Sequence, residues 1–343
     1  MGHRRQLTAR ALRDALGGVA HAVTTSGASL EVSLSSQDAG RTRRSTLLTD
    51  REMMARPVAA AGHDTTDTTA AFAAFLDGVQ ESRVVAYLGT VPLVHGRTGA
   101  VIRARVDRRL VTWGDGPRID DALYVPMAVV SGDILDALAS TGCPVIDTVD
   151  DTDADATPLD EVHPQQWLRR AVHLVQRGRE ALERELAEAW CASGAMAPLY
   201  VDGGLPPSEV VLHGGCAIGV IKSHHTLYAT GAALATVMSL GAGERSSTFV
   251  VETRWREPVA SWYLRLRTPG GRDPLWGLVR IESPLAMLTA AEADADAVAD
   301  QVSRWVAAEA APLSLPDSRW DTMAYGIRDC EVYLRATLGR QAT

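Results

Sequence analysis

The chain is almost without lysine: Lys222 is the only one, and every other basic side chain among the 34 is arginine. A GC-rich genome produces such a bias, together with abundant Ala, Gly and Asp, so the bias alone carries no chemistry. A basic surplus is also missing. The formal net charge is −8, so bulk charge does not point to nucleic acid. It leaves room for a site built from carboxylates, with a polyanion path lined locally by arginine. No two cysteines stand at CxxC spacing: Cys143, Cys191, Cys216 and Cys330 lie far apart. That excludes a zinc knuckle or a disulfide framework and reads as reduced structural thiols. The opening MGHRRQLTARALRDALGG has charge but no apolar h-region, so it is not read as a signal peptide. No run of about 18 apolar residues occurs, so neither a transmembrane helix nor a membrane partner is expected, and the default location is cytoplasmic. Neither GxGxxG nor GxSxG occurs, which removes the dinucleotide loop and the nucleophile elbow of small-molecule α/β enzymes.

What is present is ordinary globular composition. The 343 residues, 46% hydrophobic and 22% charged, suffice for one large domain or two modest ones. Strand-like and helix-like runs are interspersed, which predicts an α/β chain. Residues 1–69 read as a short amphipathic helix at 7–18 followed by loops and short surface elements rich in Ser, Thr, Arg and Asp. AAFAAFLDG (70–78) is an apolar run that ends in Asp77-Gly78, either a short buried strand or a strand preceded by a helical turn. The runs 83–95 and 99–113 are rich in Val, Ile and aromatics, and the Gly96–Gly99 segment between them signals a hairpin. The acidic stretch 148–164 reads as an exposed linker; it lacks the Gly and distal Glu of a calcium loop.

A long helix follows at 164–191, with Leu168, Val172, Val175, Leu182, Leu186 and Ala189 on one face. MAPLYVDGG (from 196) is a strand ending in Asp202-Gly203-Gly204, and a further strand at 216–224 carries Lys222. Together the Asp-bearing strands occupy 70–113 and 196–224. A small-residue helix at 229–240, a β-rich portion at about 245–285, a helix at about 288–311 and a C-terminal helix near 325–338 complete the chain.

Two strands that end in Asp-Gly are the chemical signal. A carboxylate at a strand end lies at the rim of a sheet, and the glycine lets the chain turn and a phosphate approach. Each Asp-Gly taken alone is also the commonest turn dipeptide. Two such carboxylates on adjacent strands suit Mg²⁺ or Mn²⁺, and a pair of ions suits phosphodiester hydrolysis. The long helix offers a third ligand. At about 100° per residue, Glu183 falls at the border of the apolar face, Glu185 at the other border, and Glu180 points away. Glu183 is therefore favoured. Arg179 falls on the buried side, which suits a phosphate contact or a carboxylate partner. Ion pairs along a solvated helix would explain the same charges. Lys222 supplies a compact positive charge where arginine is otherwise universal. His224 follows as a further substrate contact, but adjacent His224 and His225 point to opposite faces of a strand, which argues against a zinc pair.

Taken in order, LDGVQES (76–82), Arg179 and Glu183 at Arg-x-x-x-Glu spacing, YVDGGL (200–205) and GVIKSHHTLY (219–228) resemble the NurA nuclease family over roughly residues 70–340. The resemblance implies an RNase H-like mixed sheet flanked by helices, with an inserted barrel-like β portion. It implies a homodimer with Mn²⁺- or Mg²⁺-dependent exonuclease and endonuclease activity on DNA. It also implies a HerA-type hexameric translocase as partner, in DNA end processing or anti-phage defence. Asp77, Glu183 and Asp202 would be the acidic ligands. The family's C-terminal motif, a tyrosine followed by a histidine or an acidic residue, is here DTMAYGIRDCEVYLR (321–335). Tyr325, Asp329 or Glu331 fills that place, with Asp329 taken as the fourth ligand and Tyr325 as a substrate contact. Val79 and Gly204 stand where the family usually has serine. The alternative is a catalytically degenerate NurA-like subunit that serves as the interaction partner of an ATPase; metal-dependent nicking of DNA separates the two. Other RNase H-like enzymes, transposase-like or Argonaute-type, usually carry more basic surface and lack the second Asp-Gly strand after a long helix.

Overall fold

The computed structural model of the chain describes residues 9–17, 22–24, 40–58, 72–149, 162–194, 197–254, 256–290, 294–310 and 321–340. Most of the segment 1–69, the acidic stretch at 150–161 and residues 311–320 therefore lie outside the described residues. The expected mixed α/β class is what the described residues form: one fourteen-stranded mixed sheet with helices on both faces.

Nine of the ten strands on the main path are β1 (Ala74–Leu88), β2 (Val91–Val106), β3 (Arg118–Val125), β4 (Val145–Asp147), β5 (Leu199–Asp202), β6 (Ala217–Ile221), β7 (Phe249–Thr253), β8 (Arg256–Arg265) and β9 (Leu278–Pro284), the tenth being Thr46–Leu47 beside β7. Their spatial order is β7-β8-β9-β6-β5-β1-β2-β3-β4. β1, β2 and β3 are antiparallel neighbours. β5 lies parallel to both β1 and β6, and β9 closes antiparallel on β6. The strands between 244 and 284 thus continue the central sheet. Short strands of the N-terminal segment, Arg41–Thr42, Thr46–Leu47 and Ala55–Pro57, pair with Thr226–Leu227, β7 and Glu244–Ser246.

Two sequence expectations about β1 and β2 are corrected. The aspartate strand does not stop at Gly78, and no turn lies at Gly96–Gly99. β1 and β2 are unbroken strands of 15 and 16 residues, joined through Gly89-Thr90 with Gly89 at φ +65°. Glycine is favoured at the first central position of such a tight turn. Gly96 lies inside β2 opposite Ser82. A Cβ there would overlap a methyl of Val175 and approach Tyr124 Cε2 to 2.6 Å. The glycine serves close packing within the sheet, a use that local sequence does not distinguish from a turn.

Among the described residues the helices of eight residues or more are α1 (Ala9–Leu16), α2 (Gly132–Ser140), α3 (Pro164–Ala192), α4 (Ala232–Ser239), α5 (Ala295–Glu309) and α6 (Tyr325–Arg340). The single helix expected at 288–311 is instead a short turn at Ala286–Thr289 and then α5. α3 begins at Pro164, capped by His163, whose ring nitrogen accepts from Gln165 N at 3.1 Å; proline suits that first position because its missing N–H would have no partner there. Its buried stripe is Trp167, Ala171, Val175, Leu182, Leu186, Ala187 and Trp190. Ala189, expected on this face, is exposed because Trp190 takes the inward position.

Side chains alternate along β1. Ala74 and Leu76 face the core under α3, while Phe75 and Val79 face the core under α5 and α6. Asp77 therefore sits among apolar neighbours on the α6 side. Among the described residues no helix is long and apolar enough to cross a membrane.

Candidate functional site

Strand register brings the two Asp-Gly aspartates together. β5 pairs with β1 through Leu199–Ala74, Tyr200–Phe75 and Val201–Leu76, so the next step places Asp202 beside Asp77. β5 and β6 end at Asp202 and Ile221, whereas β1 and β2 run on to the Gly89 turn. The sheet narrows abruptly there. Asp77, Asp202 and Lys222 lie at that step, beyond the carboxyl ends of two parallel strands, where open α/β sheets receive ligands.

Asp77 is 6% exposed. Its Oδ1 accepts from Gly78 N at 2.8 Å, and its Oδ2 is buried with no hydrogen-bond partner among the described residues. Burial pushes its pKa well above the ordinary carboxylate range. The charge of Asp202 adds to that, Lys222 opposes it, and Glu183 and Glu331 add further. Four charged groups thus act on one buried carboxyl. Lys222 lies just past β6, and its Nζ is 2.7 and 2.8 Å from the two carboxylate oxygens of Asp202.

Glu183 packs on β1 from the α3 face because residue 78 is glycine, and only its charge acts on Asp77, which faces the other side of the strand. A Cβ on Gly78 would overlap Glu183 Oε1 and lie 3.0 Å from both Glu183 Cδ and Arg179 Cγ. Gly78 is thus a cradle for the glutamate inside a continuous strand. Arg179 pairs with Glu183 one turn away and donates to Gln80 Oε1 at 3.0 Å. Burial lifts Glu183 to about 7 against the pull of Arg179, with Asp202 and Glu180 adding. Glu180 is exposed and bonded to Gln176, and Glu185 is exposed.

The C-terminal candidates separate. Cys330 donates to Phe75 O at 3.4 Å, which fixes the rotation of α6. Asp329 then turns toward β2 and accepts from Arg103 Nε at 2.6 Å. Glu331 is buried and its charge acts on Asp77. Tyr325 opens α6 and is 61% exposed. His224 packs against Tyr263, a member of the core under α3, with Nε2 2.9 Å from Leu278 O. It points away from the α6 face that holds Asp77.

Sequence reasoning missed Glu282. It is fully buried on β9, 2.7 Å from both Arg256 Nη2 and Arg280 Nη1, and it accepts from Leu205 N at 3.0 Å. Burial alone would raise its pKa, yet Arg280 and Arg256 together hold it below the usual range. This ion triad pins the turn that follows Asp202. Gly203, at φ +115°, and Gly204, whose Cβ would lie 3.0 Å from Glu282 Oε2, belong to the same turn. The signal was available: Arg280 and Glu282 share one face of an otherwise apolar strand.

The donors are carboxylate oxygens, the set preferred by Mg²⁺ and Mn²⁺. A buried, partnerless Asp77 oxygen beside other acids calls for a proton or a cation. Among the described residues no three His, Cys, Asp or Glu side chains stand in coordinating geometry. Instead Asp202 is held by Lys222, and Glu183 by Arg179. No protein-family model matches the chain, and no curated protein matches it.

Proposed function

We propose that the chain is a divalent-metal-dependent deoxyribonuclease of the NurA kind. The observation that supports this reading is that Asp77 and Asp202 end up on neighbouring strands at one step of the sheet, with the charge of Glu183 also acting on Asp77, whose buried Oδ2 has no hydrogen-bond partner among the described residues. The order β3-β2-β1-β5-β6, three antiparallel strands followed by two parallel ones, supports an RNase H-like core. The strands from 244 to 284 are then the candidates for the barrel-like portion.

In this reading Asp77, Asp202 and Glu183 hold the ions, and Glu331, itself paired with Arg328 at 3.1 Å, takes the fourth place because its charge acts on Asp77, whereas Asp329 turns toward Arg103 on β2. Bound Mg²⁺ or Mn²⁺, as a pair, would supply activation of water and stabilisation of the leaving oxygen. Lys222 and Arg179 already neutralise the carboxylates and are positioned to take phosphate oxygens when cations replace them, Lys222 as a point charge and Arg179 as a fork. Gly78 keeps the approach to Glu183 open. DNA as substrate, a homodimer and a HerA-type translocase as partner belong to the same proposal, as does a role in DNA end processing or defence.

One observation favours a second reading, a catalytically silent subunit that docks on an ATPase: Asp202 and Glu183 are each ion-paired by a basic side chain. Incubation of the purified chain with supercoiled plasmid and with linear duplex DNA separates the two. Nicking and shortening in Mn²⁺ or Mg²⁺ that stop on chelation support the nuclease. Intact DNA in both metals, with and without a translocase, contradicts it.

A further inference from the structure

We propose that Cys191 and Cys216 form a reactive dithiol site, which a small disulfide such as oxidised glutathione converts to an intramolecular disulfide. The two lie 25 positions apart in sequence and read there as isolated thiols, but the fold brings their Sγ atoms to 2.8 Å. That is about 0.8 Å longer than a disulfide bond, so closure requires only a small side-chain adjustment. The backbones are anchored on both sides. Cys191 lies in the last turn of α3, next to Trp190, whose indole N–H donates to Ala197 O at 3.3 Å. Cys216 immediately precedes β6, and its carbonyl accepts from Leu199 N at 2.7 Å.

Access is asymmetric. Cys191 is half-buried and Cys216 is 4% exposed. Gly214 borders the pair: a Cβ there would lie 3.6 Å from Cys191 Sγ and 3.9 Å from Cys216 Sγ, so glycine keeps that flank clear. Cys191, the more exposed sulfur, loses its proton to solvent, attacks one sulfur of the incoming disulfide and releases one glutathione, which takes up a proton. Contact with Cys216 and burial raise the Cys191 pKa, so the step quickens in alkali. Cys216 then loses its proton and attacks Cys191 Sγ of the mixed disulfide, releasing the second glutathione. The protein dithiol loses two electrons and two protons, and the small disulfide gains them. The other thiols have no such neighbour: Cys143 contacts Asp121 and Cys330 contacts Phe75 O, each singly.

The bond would close a ring over residues 191–216. That ring contains β5 and Asp202, and it ties the helix that carries Glu183 to the strand that leads to Lys222. The site stands on its own geometry and is independent of the nuclease reading.

The test oxidises the full chain with oxidised glutathione, then counts thiols by alkylation under denaturing conditions and maps the link by mass spectrometry. Cleavage at Asp202 separates the two cysteines into different peptides. Two of the four thiols should disappear with loss of two hydrogens, the two peptides should be joined, and dithiothreitol should restore all four thiols. The melting temperature should rise by about 5 °C on oxidation, from the shortened unfolded-state loop. Cys191→Ser should abolish the link, while Cys143→Ser should leave it. Four remaining thiols, a persistent glutathione adduct, or a link through Cys143 or Cys330 overturns the proposal.

Discussion

Burial lifts the Glu183 carboxyl to about 7 against the pull of Arg179, so its charge state changes near neutral pH. Its folded pKa is raised above the unfolded value. The associated stability is therefore fully present below about 4.5 and is lost as pH rises through 7. The side chain is 13% exposed, so solvent screening is limited. In chelator, Glu183→Gln should gain about 3 kcal/mol relative to the wild-type chain between those two pH values. Denaturant unfolding at pH 4.5 and 7.5 measures this, and a pH-independent difference would show that Glu183 does not titrate in the site. Asp77, Asp202, Glu183 and Lys222 were legible as residues because each stands in a short motif whose chemistry depends on identity. The choice between Asp329 and Glu331 was not. They flank Cys330 on a helix with about 100° between successive residues, and only the contact of Cys330 with Phe75 O decides which one turns inward.

Elements were legible where periodicity is strong and misread where glycine has two uses. α3 was readable from its apolar stripe to within one residue at its C-terminal end. The β1–β2 ribbon was divided wrongly because Gly78 and Gly96 look like turn residues while serving close approach of a helix to a strand. Gly78→Ala tests this at the scale of the element. The methyl group would displace Glu183 and lift α3 locally, costing about 1–3 kcal/mol of stability as overpacking does. Cleavage should fall by at least about tenfold, because displacements near 1 Å at a catalytic group are costly. Wild-type turnover and melting temperature in Gly78→Ala would show that helix and strand are not in the contact described.

At the scale of the molecule, pairing between distant strands makes the site. Local sequence gave the strands but not their order, since the parallel neighbours β1 and β5 are separated by more than a hundred residues. The net charge of −8 is compatible with this arrangement, because three acidic groups act on Asp77 while Lys222 and Arg179 pair with two of them locally. An ion that binds only the folded chain stabilises it by mass action, about 2.7 kcal/mol at a hundredfold excess over its dissociation constant. Mn²⁺ should therefore raise the melting temperature of the wild-type chain and have little effect on Asp77→Asn. Equal shifts in both would place the ion elsewhere.

The most direct measurement is the rate of Mn²⁺-dependent cleavage of end-labelled linear duplex DNA by the wild-type chain, Asp77→Asn and Asp202→Asn side by side, with circular dichroism confirming that all three are folded. Asparagine keeps the size of each side chain and removes only its charge. Cleavage by the wild-type chain is expected, with a loss of at least about a thousandfold in each variant, corresponding to about 4 kcal/mol of barrier. Undiminished cleavage by both folded variants would contradict the proposed metal site.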